Sequence, residues 1–335
     1  MRSCLLCVVV WIAATSSNAQ EPKQEPPFIV KPDAFTTLVN PNCSHCRDEA
    51  KRRAGELRAD DRVLCWLRGY SDGGAIPMRF FLAPYRVISD TYGVFVYDPD
   101  AGFARGFAPS LDFRFHGWRN GVMVMKHKDG TLYSALTGIA FAGPKKGTRL
   151  RAVPTLVSDW GEWLKRYPGG VAYHMFDKYK PVALPTALNE DSRKSRGPAD
   201  SRLPADTLVL GVADGGEARA YPLDTLAKSR LTHDSLDGKT VVILWNGPTQ
   251  TAAAYRPVAE PPKGTKQAAR AVTLSLDAKT LPAPFLDKET GSRWDIAGRA
   301  VAGTLKGWTL QWLDGTQVKW FAWAAEFPKT SIFAK

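Results

Sequence analysis

The apolar positions of this chain change period several times, and the changes outline a series of short elements. AFTTLV, from Ala34, predicts a short strand, and Asn40-Pro41 a turn after it. The stretch before it, EPKQEPPFIVKP, is punctuated by proline and predicts an extended lead. RDEAKRRAGELRADD is polar throughout and rich in helix formers, which predicts a surface helix, followed by a strand at VLCWLRG. Between Tyr92 and Tyr133 the chain is rich in aromatics, valine and turn residues. TYGVFVYDPDAG reads as a strand entering a turn, and GVMVMKHKDGTLYSA as a β-hairpin turning at KDG. PTALNEDSRKSRGPADSRLP, from Pro185, has little apolar content and predicts a linker or long surface loop. TLVLGVADGGEARAYPL then reads as strand, glycine turn, strand. KTVVILWN is a buried strand, and PVAEPPKGTKQAA a basic loop that interrupts the strands.

An internal repeat organises these elements. TGIAFAGPKKGTRL, from Thr137, returns as AGRAVAGTLKGWTL, from Ala297. Gly138, Gly143 and Gly147 recur at Gly298, Gly303 and Gly307, and the register holds beyond them. Trp160 meets Trp320, Trp163 meets Trp323, and Pro168 meets Pro328. Glycines at such places permit a positive φ or a close backbone approach. Tryptophans three apart fall on one side of a short helix, which can bury both rings across a sheet. The expected fold is therefore mainly β with α+β character. It consists of two related β-rich units, each closed by a short tryptophan-bearing helix. The expected boundaries are residues 20–67 for a cysteine-containing segment, 68–184 for the first unit, 185–205 for the linker and 206–335 for the second unit.

The first residues change the picture of where the protein works. Arg2, the apolar run LLCVVVWIAA and the small residues of SSNA have the form of an export signal cleaved after Ala19, which assigns residues 1–19 to a leader. The run is too short to span a bilayer as a helix, and no later segment is apolar enough to do so. The expected location is periplasmic or secreted. The net charge is +12, but the basic residues are scattered in groups such as KRR, KK and RKSR. A solvated basic surface fits this better than specific nucleic-acid binding. Expected partners are a protein, a glycan or a small-molecule ligand.

Of five cysteines, Cys4 and Cys7 lie in the leader, leaving Cys43, Cys46 and Cys65. Three readings stand side by side for the CxxC pair. It is a redox dithiol at a helix N-terminus. It is part of a zinc or copper site, with Cys65 as a third thiolate and a histidine as the fourth ligand; His45 sits inside the chelate loop and is poorly placed for that role. Or it is a structural disulfide, within the pair or to Cys65. A c-type haem is disfavoured, because Arg47 follows the second cysteine. Elsewhere, His116 and Arg119 in FRFHGWRNG suggest a base and an anion clamp. Arg79, Tyr85, Arg86 and Asp90 form a second polar cluster around PYRVISD. No phosphate-binding loop, HExxH or nucleophile elbow is present.

Several separated motifs, in order, resemble the bacterial family catalogued as domain of unknown function 3179. They are ARAYPLDTLAKSRLTHDSLDGKTVVILWNGPTQTA from Ala218 and KETGSRWDIAGRAVAGTLKGWTLQWLDGTQVKWFAWAAEFP from Lys288. IPMRFFLAPYRVISDTYGVFVYDP and DGTLYSALTGIAFAGP in the first unit are weaker echoes. The resemblance implies a polar centre built from histidine, glutamate, an Asn-Asp pair and two cysteines. At those places this chain carries Ser229, Arg230, His233, Asp234, Asn246 and Thr249. The first unit has Tyr85 and Arg86, with only Asp90 kept of the polar set. On this reading the chain keeps the scaffold with the reactive centre replaced in both copies. Its expected role is binding or assembly in the cell envelope. The alternative is a metal-dependent or thiol-redox enzyme centred on the N-terminal cysteines.

Overall fold

A computed structural model of the chain describes residues 27–41, 57–68, 72–79, 85–173, 189–277 and 283–334. The leader, Cys43, His45, Cys46, most of the surface helix expected after them and the start of the expected linker lie outside the described residues. Among the described residues the strands form six sheets, which fall into three pairs of matching order.

In the first pair, Thr155–Asp159, Arg62–Arg68, Asp72–Pro77 and Val171–Ala172 lie side by side. Gly315–Lys319, Leu208–Asp214, Glu217–Pro222 and Ser331–Ile332 repeat that order, and the last strand is parallel in both. In the second pair, Ala152–Val153, Phe103–Phe107, Val94–Asp98 and Tyr85–Ser89 match Thr309–Trp312, Thr251–Glu260, Lys239–Asn246 and Leu231–Leu236. In the third, Phe113–Arg119, Val122–His127, Leu132–Ser134 and Ala140–Ala142 match Leu274–Leu276, Phe285–Asp287, Arg293–Trp294 and Ala300–Ala302. The first unit alone adds Thr36–Val39 and Ile29–Val30 at sheet edges. The protein is thus mainly β, in two related units.

The repeated glycines have matching jobs. Gly138 and Gly298 take φ of 68° and 71°. A Cβ on either would meet an aromatic ring, Phe107 at 2.6 Å and Tyr255 at 2.5 Å. The turn needs a left-handed residue with no side chain, and glycine alone meets both conditions.

Four short helices are named here in chain order: α1 (Trp160–Arg166), α2 (Glu190–Lys194), α3 (Leu223–Ser229) and α4 (Trp320–Glu326). α1 and α4 bury both of their tryptophans. Trp163 lies over Gly73 and Trp323 over Gly211; a Cβ on either glycine would come within 2.3 Å of the ring. Each helix ends on an aromatic residue stacked on the second tryptophan, Tyr167 at 4.2 Å and Phe327 at 4.3 Å. The units differ in the next turn. Trp323 Nε1 donates to Thr330 Oγ1 at 2.9 Å, whereas Gly170 stands where Thr330 would be, and Trp163 Nε1 is buried without a partner. Thr330→Val should orphan the Trp323 donor in the same way. The expected loss is about 1–3 kcal/mol in urea unfolding.

Each helix-bearing sheet packs against strands of the other unit. One core joins Phe103, Trp118 and Met123 with Val209, Trp320 and Trp323. Asn120 Nδ2 donates to the half-buried Glu326 of α4 at 3.2 Å. In the reciprocal contact, Ala297 packs among Cys65, Trp160 and Trp163, and Arg299 lies over the Tyr167 ring at 5.2 Å. Arg105 locks the exchange by donating to both carboxylate oxygens of Asp314, at 2.7 and 2.9 Å.

Two expected loops are partly ordered. Within the low-apolar stretch from Pro185, α2 is capped by Asn189, whose side chain accepts from the amides of Asp191 and Ser192. Ser192 Oγ donates to Gly121 O at 2.9 Å, and Arg196 stacks on Phe321 at 3.7 Å. Hydroxyls and a guanidinium dock this segment, so hydropathy alone reads it as free. Likewise PVAE belongs to the strand Thr251–Glu260, and the loop starts after it.

Candidate functional site

The residues that sequence analysis grouped as pockets are dispersed. Arg79 lies 3.4 Å from Asp61 on the wall of a cleft described below. Tyr85 packs partly buried against the core around Trp66. Asp90 accepts from the Tyr173 hydroxyl and from Thr91; Asp234 does the same for Tyr221, at 2.8 Å. Each carboxylate ties its own sheet to a tyrosine of the neighbouring one. His116 is half-buried in the lining of a groove with Arg114, Lys126 and Lys128, while Arg119 lies over Phe141 at 4.7 Å. A register shift between Phe115 and Gly117 falls between them, and they form no joint site.

The places where the resemblance implies reactive residues are filled differently in the two units. In the second, Ser229 Oγ pairs with Thr232 Oγ1 at 2.8 Å, and Thr249 Oγ1 with Thr251 Oγ1 at 2.7 Å. These hydroxyls satisfy one another and supply neither base nor thiolate. In the first unit, strand register puts Asp98 where the second unit has Asn246. Asp98 is fully buried and accepts from the amides of Asp100, Ala101 and Met123 at 3.1, 3.0 and 2.9 Å. Burial, reinforced by the neighbouring Asp100 carboxylate, pushes its pKa up to about 6. Burial also raises the pKa of Asp100, whose Oδ1 accepts from the Asn189 amide. Arg86 sits in the same field, stacked on Phe35 at 4.5 Å. Its Nε and Nη1 are buried without partners, and burial lowers its pKa. This cluster was legible only as a turn, in YDPDAG. The signal available was two aspartates flanking a proline at the end of an apolar strand.

Cys65 is the described member of the cysteine set. It is a free, fully buried thiol, 3.8 Å from Val63 O in the core under α1. Its candidate disulfide partners, Cys43 and Cys46, lie outside the described residues. Burial raises its pKa well above the ordinary thiol value, the reverse of what a reactive thiolate needs. Among the described residues no three histidine, cysteine or carboxylate side chains gather as a metal site. No helix of the described residues is long and apolar enough to cross a membrane.

One polar cleft that could seat a ligand lies between the units. A cleft of about 510 Å³ is lined by equivalent positions of both. Arg62 and Leu208, Met78 and Leu223, Val157 and Gln317, and Gly102 and Gln250 are equivalent positions of the two units in the strand register. The charged lining, Arg58, Asp60, Asp61, Arg62 and Arg79, comes from the first unit together with Met78, Tyr97, Ala104 and Val157, and the second unit adds only apolar and amide groups. Arg62 is held by Asp159 at 2.6 Å and by Thr249 O, across the unit boundary, at 2.7 Å. The volume is within the range of small-molecule sites. The lining comes from several separate stretches of sequence, which is why no motif announced it.

No curated protein matches the chain, and no solved structure does. One family profile, described as "Protein of unknown function (DUF3179)", matches residues 102–330, from the turn after Asp100 to the threonine that holds Trp323. That match covers more than half of the chain and spans both tryptophan helices, so the protein belongs to the DUF3179 family.

Proposed function

We propose that this is an exported binding protein of the cell envelope, built by internal duplication, whose ligand seats in the cleft between the two units. The observation that carries the reading is the asymmetry of that cleft: its charged residues, Arg58, Asp60, Asp61, Arg62 and Arg79, all come from one side of the repeat, and the other contributes only Leu208, Leu223, Gln250 and Gln317. An amphiphilic small molecule suits such walls, with its apolar body against Leu208 and Leu223 and its polar head toward Arg58 and Arg79. Matching sheet order and the 160-residue recurrence of the glycines and tryptophans support duplication. The hydroxyl-filled and carboxylate-filled centres support binding over chemistry. The N-terminal pattern supports export with the mature chain beginning at Gln20.

Native mass spectrometry of protein purified gently from its own host tests this reading. A bound small molecule should accompany the wild type and be absent from a Leu208→Trp variant, whose indole projects into the cleft from an exposed wall position. A wild type that carries no adduct, and whose unfolding temperature no amphiphile raises, would remove the cleft from consideration. Amino-terminal sequencing of the same sample should read from Gln20.

A further inference from the structure

A second surface carries an independent argument. On the hairpin of Phe113–Arg119 and Val122–His127, Arg114 stands directly opposite Lys126. Like charges in that position repel, and a sheet stabilised only for itself avoids them. The structure does not relieve the pair. The guanidinium of Arg114 donates to the Leu111 and Phe113 carbonyls, at 2.8 and 2.7 Å, and Lys126 makes no ion pair among the described residues. His116 lies on the same outward face, and burial and then Lys126 lower its pKa. Lys128 is beside it and touches Asp112 at 3.0 Å. Together with Pro32 these residues border an open groove of about 380 Å³.

The rim of the groove is apolar and exposed. Phe28 lies 6.0 Å from the His116 ring, and Val30 pairs with Gly117 on the adjoining edge strand. Val30 is 50% exposed, with Phe28 and Leu111 close to 40%. A sheet edge gains nothing from such residues beside Arg114 and Lys126, two cations with no ion pair among the described residues. Cations flanked by protruding aromatic and aliphatic side chains match the headgroup and upper acyl regions of an anionic bilayer. We infer that this face docks on anionic phospholipid membranes, with Arg114, Lys126 and Lys128 on the phosphates and Phe28 and Val30 at the acyl boundary. The inference does not depend on what occupies the cleft.

Co-sedimentation of the full chain with phosphatidylcholine vesicles, with and without phosphatidylglycerol, tests it. Binding should require phosphatidylglycerol and weaken steeply with salt. Arg114→Glu should cut the partition coefficient roughly tenfold or more, because a cation near the surface becomes an anion. The same change places Glu opposite Lys126, so the urea midpoint should hold or rise; lost binding then cannot be read as lost folding. Phe28→Ser/Val30→Ser should weaken binding at low salt as well. Equal binding to both vesicle types, or binding indifferent to Arg114→Glu, would overturn the proposal. So would a soluble polyphosphate that binds as tightly as vesicles with Phe28 and Val30 making no difference; that outcome would assign the face to acidic polymers.

Discussion

Trp323→Ala should destabilise the protein by roughly 3–5 kcal/mol, the range for removing a buried large aromatic side chain. Three features place it at the upper end. The ring fills the space above Gly211, where a Cβ would come within 2.3 Å of it, so the strand cannot close the gap with a side chain of its own. It stacks on Phe327, and its Nε1 satisfies Thr330. The core it belongs to also holds Trp118, Met123 and Phe103 from the other unit, so the void would open at the joint between units. Urea unfolding followed by circular dichroism measures the loss. A reduced m-value along with a lower midpoint would mean that the units then unfold separately. Gly211→Val approaches the same contact from the other side. It should also destabilise, because the valine and the indole compete for one volume. If Trp323→Ala costs less than about 1 kcal/mol, the exchanged packing described above does not hold the units together.

The second large effect is on pH dependence. Asp98 is fully buried, and its folded pKa of about 6 lies above the unfolded value near 3.9. Ionisation is then easier in the unfolded chain. Stability from this group is fully present below about pH 4 and is lost as pH rises through about 6. A shift of about two units corresponds to roughly 3 kcal/mol. Asp100, Asp295 and Glu326 are displaced in the same direction, first by burial. Opposing shifts fall on Asp129, Glu190, Asp200 and Glu289, which lie at the surface, where solvent screens them, and on the partly buried Asp234, whose desolvation is outweighed by Arg219. The buried group should prevail, so the urea midpoint should be higher near pH 5 than above pH 7. Asp98→Asn removes the titration and keeps one acceptor oxygen, enough for the Asp100 and Ala101 amides, while its NH2 group faces the Met123 N–H; it should lower the midpoint somewhat and flatten that slope. Asp98→Ala should cost about 3 kcal/mol or more at every pH, because the three buried amides lose their acceptor. A slope unchanged in Asp98→Asn would assign the pH effect to the other carboxyls.

Much of the site was invisible in one dimension for a physical reason. Arg62 reads as one of many scattered basic residues until the fold brings it to Asp159 and Thr249 O. Leu208 and Gln317 are unremarkable in strands whose neighbours are core. The CxxC drew attention because covalent and metal chemistry has a local spelling. A cleft between units has none, since its specificity comes from surfaces meeting across distant chain positions. The low-apolar stretch from Pro185 misread for a related reason: hydropathy counts burial of carbon, and α2 docks by Ser192, Ser195 and a stacked arginine.

What the sequence determined by itself is the local scaffold. Short continuous apolar runs such as VFVYD and KTVVILWN became strands buried on both faces. Glycines repeated at 138 and 298 became left-handed turns, because no other residue takes that φ beneath an aromatic ring without strain. Paired tryptophans three apart became buried helices. Only the tertiary structure decided which unit each helix-bearing sheet would cover. Both units offer apolar faces of the same kind, and periodicity carries no address for a partner. The choice rests on side-chain pairs made across the boundary, such as Arg105 with Asp314, Asn120 with Glu326, and Arg299 with Tyr167. That exchange set the cleft, buried Cys65 away from reaction, and left Arg114 and Lys126 facing each other on the outside.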